Sequence, residues 1–367
     1  MQQSGIMGKK VVVGMSGGVD SSVAAYLLKE QGYEVIGVTM ETWGRSGGGC
    51  LKAGETAAAA EDAAKVAEAL GIPHYVMDFR EEFRRFVMDY FVEEYLQGRT
   101  PNPCIVCNRR VKWGALLERA LELGAEYIAT GHYARIARLP NGRLAIRRSV
   151  TEGKDQSYAL YSLSQEQLAH TLLPVGDYEK DRIRTLAGEA GLPVAEKPDS
   201  QEICFVPDGD YAGFIRTEAG ERVPGPGRFV YGDGREAGDH EGITHYTIGQ
   251  RRGLKLPLGE RIYVTDIRPE TNEVVIGRNE ELFTDRVICG GINYMGAEEL
   301  GGNRRVLAKI RYNHRGEYCR IEKLPGDRVL AVFEHPVRAA APGQSMCFYD
   351  GEYVLGGGII LKEEVSD

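Results

Sequence analysis

Three groups of residues in this 367-residue chain have types and spacings that could do chemistry. The first is SGGVDSS, Ser16 to Ser22, preceded by the apolar run KKVVVGM and followed by SSVAAYLLKEQG. Glycines let a backbone approach a ligand closely, amide hydrogens at a helix start point outward, and the helix dipole favours an anion. A strand, this loop and a helix in that order therefore make a phosphate site. The Walker spacing GxxxxGK[ST] and the dinucleotide spacing GxGxxG are both absent. The second group is GRTPNPCIVCNRRVKW, Gly98 to Trp113, where Cys104 and Cys107 form a CxxC. Its prolines and asparagine predict an extended, exposed, non-helical path for both thiols. The third is KPDSQEICF, which carries Cys204. Structural zinc on the CxxC would want four ligands, and no fourth partner has suitable spacing. A thioredoxin-like pair would follow a strand directly, which this one does not.

These groups need elements to position them. Residues 9 to 132 alternate short apolar runs with helical stretches, the pattern of a parallel sheet covered by helices. KKVVVGM, YEVIGVTM, PHYVMDF and EYIATGH read as strands. The alanine-rich segment Glu55 to Leu70 predicts a helix closed by Gly71. A second helix is expected from Glu81 to Leu96, with Phe83, Phe86, Val87, Tyr90 and Phe91 on one buried face, and a third from Val111 to Leu123, ending at Gly124. ARIARLPNGRLAIRRSV reads as a hairpin around Asn141 and Gly142. After residue 215 the texture changes to glycine-rich turns and alternating strands, with turn signals roughly every 8 to 12 residues. The expected fold class is α/β: a doubly wound parallel-sheet domain over 1–214, a small β-rich central module over 215–282, and a carboxy-terminal β-barrel over 283–367.

Composition narrows the setting. Hydrophobic residues are 43% and charged residues 27%, the balance of a soluble globular protein. No apolar run approaches the roughly 20 residues that span a bilayer. The start MQQSGIMGKK lacks the apolar core and cleavage site of a signal peptide, so the expected location is the cytoplasm. Seven cysteines in a long chain of a reducing compartment do not make a disulfide framework. Cys50, Cys289, Cys319 and Cys347 fall in a glycine-rich loop or in strand patterns and are expected to be inert. The net charge of −8 does not exclude a nucleic-acid partner, because phosphate affinity follows the local field. Basic clusters occur at Arg109, Arg110 and Lys112, at Arg147, Arg148 and Lys154, at Arg251, Arg252 and Lys255, and from Arg304 to Arg315.

SGGVDSS resembles the pyrophosphate loop, SGGxDS, of the ATP pyrophosphatase (PP-loop) superfamily, whose members cleave ATP to AMP and pyrophosphate while adenylating a substrate oxygen. The resemblance implies a PP-loop ATPase domain that binds ATP and Mg²⁺. Gly14 and Met15 lead into the loop, and the amides of Gly17, Gly18 and Val19 with the hydroxyls of Ser16, Ser21 and Ser22 hold pyrophosphate. Asp20 faces the metal, Met40 the adenine, and Gly131 the ribose or α-phosphate. Taken with TPNPxxxCN, ATGHYAR, GKDQSYAL, HYTIGQRRGL, KIRYNH and APGQ, the resemblance extends over nearly the whole chain and is to the tRNA-specific 2-thiouridylases, the MnmA family. That family thiolates carbon 2 of the wobble uridine in tRNAs for lysine, glutamate and glutamine. The base must leave its stack for this chemistry.

This second resemblance implies the anticodon arm of tRNA as partner, no membrane, and a sulfur donor that is sulfide or a persulfide carrier fed by a cysteine desulfurase. It implies Cys107 as nucleophile and Cys204 as the persulfide carrier, with Asn102, Pro103 and Cys104 lining the pocket for the flipped base. His132, Lys154, Asp155, Gln156, Arg311, Tyr312 and Gln344 fall on tRNA-contacting positions. Where many relatives have aspartate in TPNPD, this chain has Cys104, and that aspartate is the proton-transfer candidate of the persulfide scheme. Three thiolates, Cys104, Cys107 and Cys204, could instead hold three irons of a [4Fe–4S] cluster and leave the fourth open. The alternative has no cluster and uses Cys107–Cys204 persulfide and disulfide chemistry.

Overall fold

A computed structural model describes residues 7–43, 54–198, 203–257 and 259–362. The chain divides into two compact units, Met1–Val87 with Cys104–Gln201 and Glu352–Val354, and Met88–Pro103 with Glu202–Gly351 and Leu355–Asp367. Cys50 lies outside the described residues.

In the first unit, β1 (Lys10–Gly14) is the centre of a parallel sheet. Val11, Val12 and Val13 are fully buried, as expected of a strand covered on both faces. β1 pairs with β2 (Glu34–Glu41), and β2 pairs with β3 (His74–Asp78). On its other side β1 pairs with β4 (Tyr127–Ala129). A hairpin follows, β5 (Ala134–Arg138) and β6 (Leu144–Arg148), with Gly142 at φ +83° in its turn. β7 (Thr171–Leu172) completes the order β3-β2-β1-β4-β7. The helices α1 (Val19–Glu30), α2 (Gly54–Leu70) and Lys180–Glu189 cover the sheet through a core that includes Val23, Leu28, Val66, Ile183 and Ala187. Gly71 ends α2 at φ +61°, as its sequence predicts. Successive strands run outward in opposite directions from β1, so the crevice at the carboxyl ends of β1 and β4 is where a ligand belongs.

Two segments differ from expectation. The stretch predicted as one helix from Glu81 to Leu96 is α-helical over Arg80–Phe83 and Asp89–Leu96 but π-helical over Arg84–Met88. Cys104 and Cys107 are not on an extended loop: Pro103–Val106 is α-helical, Cys107–Leu116 is π-helical, and Leu117–Glu122 returns to α. The reason is the position of Pro103 at the first helical residue. There its missing N–H is not needed and its fixed φ suits the helix, so the prolines start a helix where they were read as preventing one.

In the second unit, β8 (Gly227–Tyr231), β9 (Glu236–His240), β10 (Tyr263–Arg268) and β11 (Glu273–Gly277) form a small sheet in the order β10-β11-β8-β9. The strands β12 (Phe283–Tyr294), β13 (Arg304–Lys309), β14 (Glu317–Leu324), β15 (Arg328–Arg338), β16 (Ser345–Asp350) and β17 (Tyr353–Ile360) follow. They run β12-β15-β14-β13-β16-β17, and pairing of β12 with β17 closes the barrel. Cys289 and Cys319 are in its apolar core and Cys347 is fully buried, so all three are packing residues. Among the described residues no helix is long and apolar enough to cross a membrane.

Candidate active site

The phosphate loop leaves β1 at Gly14 and enters α1 at Val19. Gly17 has φ +67°, and a Cβ there would stand 2.4 Å from the Ala59 carbonyl oxygen, so only glycine fits. Gly18 is the cap residue of α1, and the first amides of the helix have no partner within it. The Ser21 hydroxyl accepts from the Ser16 amide at 3.2 Å and lies 3.1 Å from the Gly18 carbonyl, to which it donates. The Ser22 hydroxyl also donates to that carbonyl, at 2.8 Å. Both hydroxyls thus shape the loop from within, while Ser16 is exposed at its mouth. Met15 is buried, with its carbonyl accepting from Thr39 at 2.9 Å, which makes it a packing residue beneath the loop. Met40 is half-buried near the end of β2. Gly131, just past β4, lies so close that an added Cβ would be 2.6 Å from both the Asp20 carbonyl carbon and the Ser21 amide.

Three further residues meet the loop, none of them given a role there by the sequence. The Tyr133 hydroxyl donates to Asp20 at 2.7 Å. Lys180 donates to the same carboxylate at 2.7 and 3.0 Å. Lys197 donates to the Gly17 carbonyl at 2.9 Å and to Asp62 at 2.8 Å. Tyr133 and Lys197 stood inside the quoted segments ATGHYAR and KPDSQEICF, but only the fold gives them these partners.

The thiol helix lies in the same unit. Cys104 is exposed on it and Cys107 is half-buried. Burial pushes the Cys107 thiol up to about 11, with Lys112 opposing and Cys104 adding to the rise. Enough protein surrounds Cys104 that burial raises its thiol too, again against Lys112. Lys112 was expected in a basic surface cluster; instead its amine donates to Asn108 Oδ1 at 3.0 Å, and buried Asn108 donates to the Ala159 carbonyl at 2.9 Å. His132 packs its ring 5.6 Å from Trp113, with Nδ1 2.7 Å from the Thr130 hydroxyl. Burial, reinforced by Lys112, holds His132 well below its usual pKa, so it is neutral. Adjacent residues of one short segment therefore serve two places: Gly131 and Tyr133 meet the phosphate loop, and His132 meets the thiol helix.

Among the described residues no group of three or more His, Cys, Asp or Glu side chains is placed to hold a metal ion, and Cys104, Cys107 and Cys204 are not in disulfides. Cys104 and Cys107 belong to the first unit and Cys204 to the second.

Residues 9–208 match the family described as tRNA methyl transferase HUP domain, 213–278 the tRNA methyl transferase PRC-barrel domain, and 284–360 the aminomethyltransferase beta-barrel domain. A protein of Lachnoclostridium phytofermentans named tRNA-specific 2-thiouridylase MnmA is 57% identical over 361 residues, which cover 96% of this chain and 100% of that protein. The chain belongs to the MnmA family. Similar proteins of the same name in Clostridioides difficile and Clostridium acetobutylicum are 50% and 52% identical, covering 97% and 96% of this chain and 99% and 100% of theirs.

Several positions expected from the MnmA family to contact tRNA also have partners within the fold. In the first unit, Asp155 accepts from the amides of Ser149 and Ser157 at 3.2 Å, and Gln156 exchanges two 2.8 Å bonds with the Tyr133 backbone. Lys154, beside them, is exposed. In the second unit, Gln344 donates to the Thr100 carbonyl at 2.9 Å and the Pro101 carbonyl at 3.3 Å, holding the segment that leads through half-buried Asn102 to buried Pro103. Arg311 donates to the Arg338 carbonyl at 2.8 Å, and Tyr312 is exposed. Cys204 is exposed, while its neighbour Phe205 is buried with rings of Phe91 and Phe214 at 5.3 and 5.1 Å, so the thiol is presented from an anchored residue. Ion pairs balance part of the basic clusters: Arg147 with Glu352, Arg304 with Asp350, Arg305 with Glu334 and Lys255 with Glu241.

Proposed function

We propose that this chain catalyses ATP-dependent 2-thiolation of the wobble uridine of tRNAs of the lysine, glutamate and glutamine type, in the cytoplasm. The observation that carries the reading is a glycine-lined anion loop at the head of α1 in the same unit as the thiol of Cys107, in a chain 57% identical to a protein named for this activity. The family descriptions name methyl transfer, but a phosphate loop and paired thiols suit adenylation followed by sulfur attack. The division of labour follows the sequence boundaries: 1–214 for ATP and chemistry, 215–282 and 283–367 for the tRNA, whose anticodon arm is gripped by phosphate contacts and shape.

In the first step the uracil O2 attacks the α-phosphorus of ATP, the bond between the α-phosphorus and its bridging oxygen breaks, and pyrophosphate leaves. The loop amides and the α1 dipole receive the pyrophosphate charge. Asp20 provides a carboxylate that a bound Mg²⁺ would share, and the metal when bound neutralises phosphate charge. In the second step the outer sulfur of a Cys204 persulfide bonds to C2, the bond from C2 to the adenylated oxygen breaks, and AMP leaves. Cys107 then attacks the inner sulfur, releasing thiolated tRNA and leaving a disulfide for an external thiol to reduce. The outer sulfur of the Cys204 persulfide comes from a persulfide carrier charged by a cysteine desulfurase, which transfers it to the Cys204 thiol and leaves its own thiol behind.

The test measures AMP and 2-thiouridine formed from ATP, unmodified tRNA and a persulfide donor, with iron-free protein. Cys107→Ala and Cys204→Ala are expected to lose thiolation and keep adenylation, while Cys104→Ala keeps both. Loss of thiolation in Cys104→Ala equal to that in the other two, together with dependence on added iron and sulfide, would restore the cluster and refute the thiol route.

A further inference from the structure

The phosphate loop contains no lysine, yet two lysine amines reach it from 160 and 180 residues downstream. They do different work. Lys197 donates to the Gly17 carbonyl and to Asp62, so it holds a loop peptide in place from behind. Lys180, the first residue of the helix Lys180–Glu189, points its amine at Asp20, in the first turn of α1.

The surroundings of Lys180 are unusual for an exposed-type residue. Its side chain is 13% exposed and that of Asp20 is 29% exposed. Its amine lies 5.5 Å from the centre of the Tyr133 ring, and the Tyr133 hydroxyl donates to the same carboxylate. An ammonium this far out of water needs an anion in contact. Nearby, the amino end of α1 adds positive potential, so the place would repel a further cation unless a negative group sat there. Asp20 supplies that group in the nucleotide-free chain. The geometry is that of a phosphate site balanced by an internal carboxylate.

We propose that Lys180 is a phosphate-binding residue of this enzyme, supplying from a distant helix the cation that a Walker loop carries within itself. Without nucleotide the Asp20 carboxylate occupies the position of phosphate oxygens against Lys180. When ATP binds, Lys180 passes from Asp20 to the β- or γ-phosphate, and the carboxylate becomes available to the metal. This rests on the reading of the loop as an ATP site.

The experiment is calorimetric titration of the full chain with metal-free pyrophosphate and with MgATP, without tRNA. Wild type is expected to bind both. Lys180→Met is expected to bind pyrophosphate about 10- to 100-fold more weakly, the loss of one charge-assisted contact, and Lys180→Arg to stay within a few-fold of wild type. Asp20→Asn gives the sharper signature, because its two ligands move in opposite directions. Metal-free pyrophosphate binds more tightly, since Lys180 no longer has to leave a carboxylate, while MgATP binds more weakly. Undiminished pyrophosphate affinity in a folded Lys180→Met variant would overturn the proposal. So would weakening of both ligands in Asp20→Asn, which remains decisive if Lys180→Met fails to fold. Failure of wild type to bind either ligand would instead refute the ATP-site reading on which it rests.

Discussion

Gly131→Ala adds one methyl group where the segment just past β4 meets the first turn of α1, and its effect follows from distances. The new Cβ would stand 2.6 Å from the Asp20 carbonyl carbon, 2.6 Å from the Ser21 amide nitrogen and 2.9 Å from Asp20 Cβ. Ordinary contact begins at 3.4 Å, so the two backbones must part by about 0.8 Å. Two of the three atoms are main chain at the first turn of α1, and no rotamer change can clear them. The amides that receive phosphate, the Asp20 carboxylate and the Tyr133 hydroxyl must then lose their mutual alignment. A displacement near 1 Å at a positioning element costs on the order of 100-fold in rate. The expected result is about that loss in AMP formation, with a stability loss of about 1–3 kcal/mol from overpacking. Gly188→Ala is the control: it is helical, with nothing within 4 Å of the added Cβ, and should gain up to about 1 kcal/mol while leaving AMP formation unchanged. A Gly131→Ala protein with wild-type AMP formation and an unshifted melting temperature would refute the close packing of Gly131 on the first turn of α1.

Two further outcomes are expected. With its thiol pushed up to about 11, Cys107 holds on the order of 10⁻⁴ thiolate at pH 7, against a few per cent for an ordinary thiol, and the greater nucleophilicity of a basic thiolate recovers about tenfold of that. Iodoacetamide should therefore alkylate Cys107 in the free protein about 20-fold more slowly than a model thiol at pH 7, with the rate rising tenfold per pH unit towards 11, and Lys112→Met should move the midpoint higher still; a midpoint below 8 by mass-spectrometric peptide mapping would contradict this burial. Gln344→Leu should leave the Thr100 carbonyl unpaired at a cost of about 1–3 kcal/mol, lowering the melting temperature by several degrees without tRNA present; weakened tRNA affinity with unchanged melting would show that Gln344 acts on tRNA alone.

The strands around β1 were legible because their apolar runs are continuous and glycines close the helices, and the phosphate loop was legible because all its residues are adjacent. The hairpin at Asn141 and Gly142 could be placed for the same reason, its turn chemistry being local. What could not be read is what depends on the meeting of distant segments. Lys180 looks like any lysine at the start of a polar helix, and Gln156 and Gln344 like any exposed amide, until their partners 23 to 244 residues away are in place. The thiol helix shows a different failure. The same prolines can forbid a helix or begin one, and only the register at Pro103 decides which; the π-helical turn that follows has no side-chain signature of its own.

The order of events in the proposed reaction has a physical basis in the first unit. Carbon 2 of a uracil is a poor electrophile until its oxygen is adenylated, so a thiol that is already ionised gains nothing before that step and is open to oxidation. Burial of Cys107 keeps its proton on at neutral pH, and burial likewise keeps His132 neutral, which leaves Lys112 as the charge acting on both. Lys112 itself is held to Asn108, and Asn108 to the Ala159 carbonyl, beside the segment whose Gln156 is bonded to Tyr133. Tyr133 in turn donates to Asp20 at the phosphate loop. Nucleotide that draws Lys180 away from Asp20 removes one partner from the carboxylate that Tyr133 holds, and Tyr133 is the chain neighbour of His132, whose ring packs on Trp113 of the thiol helix. A run of contacts within one compact unit thus connects the phosphate loop with the thiol helix.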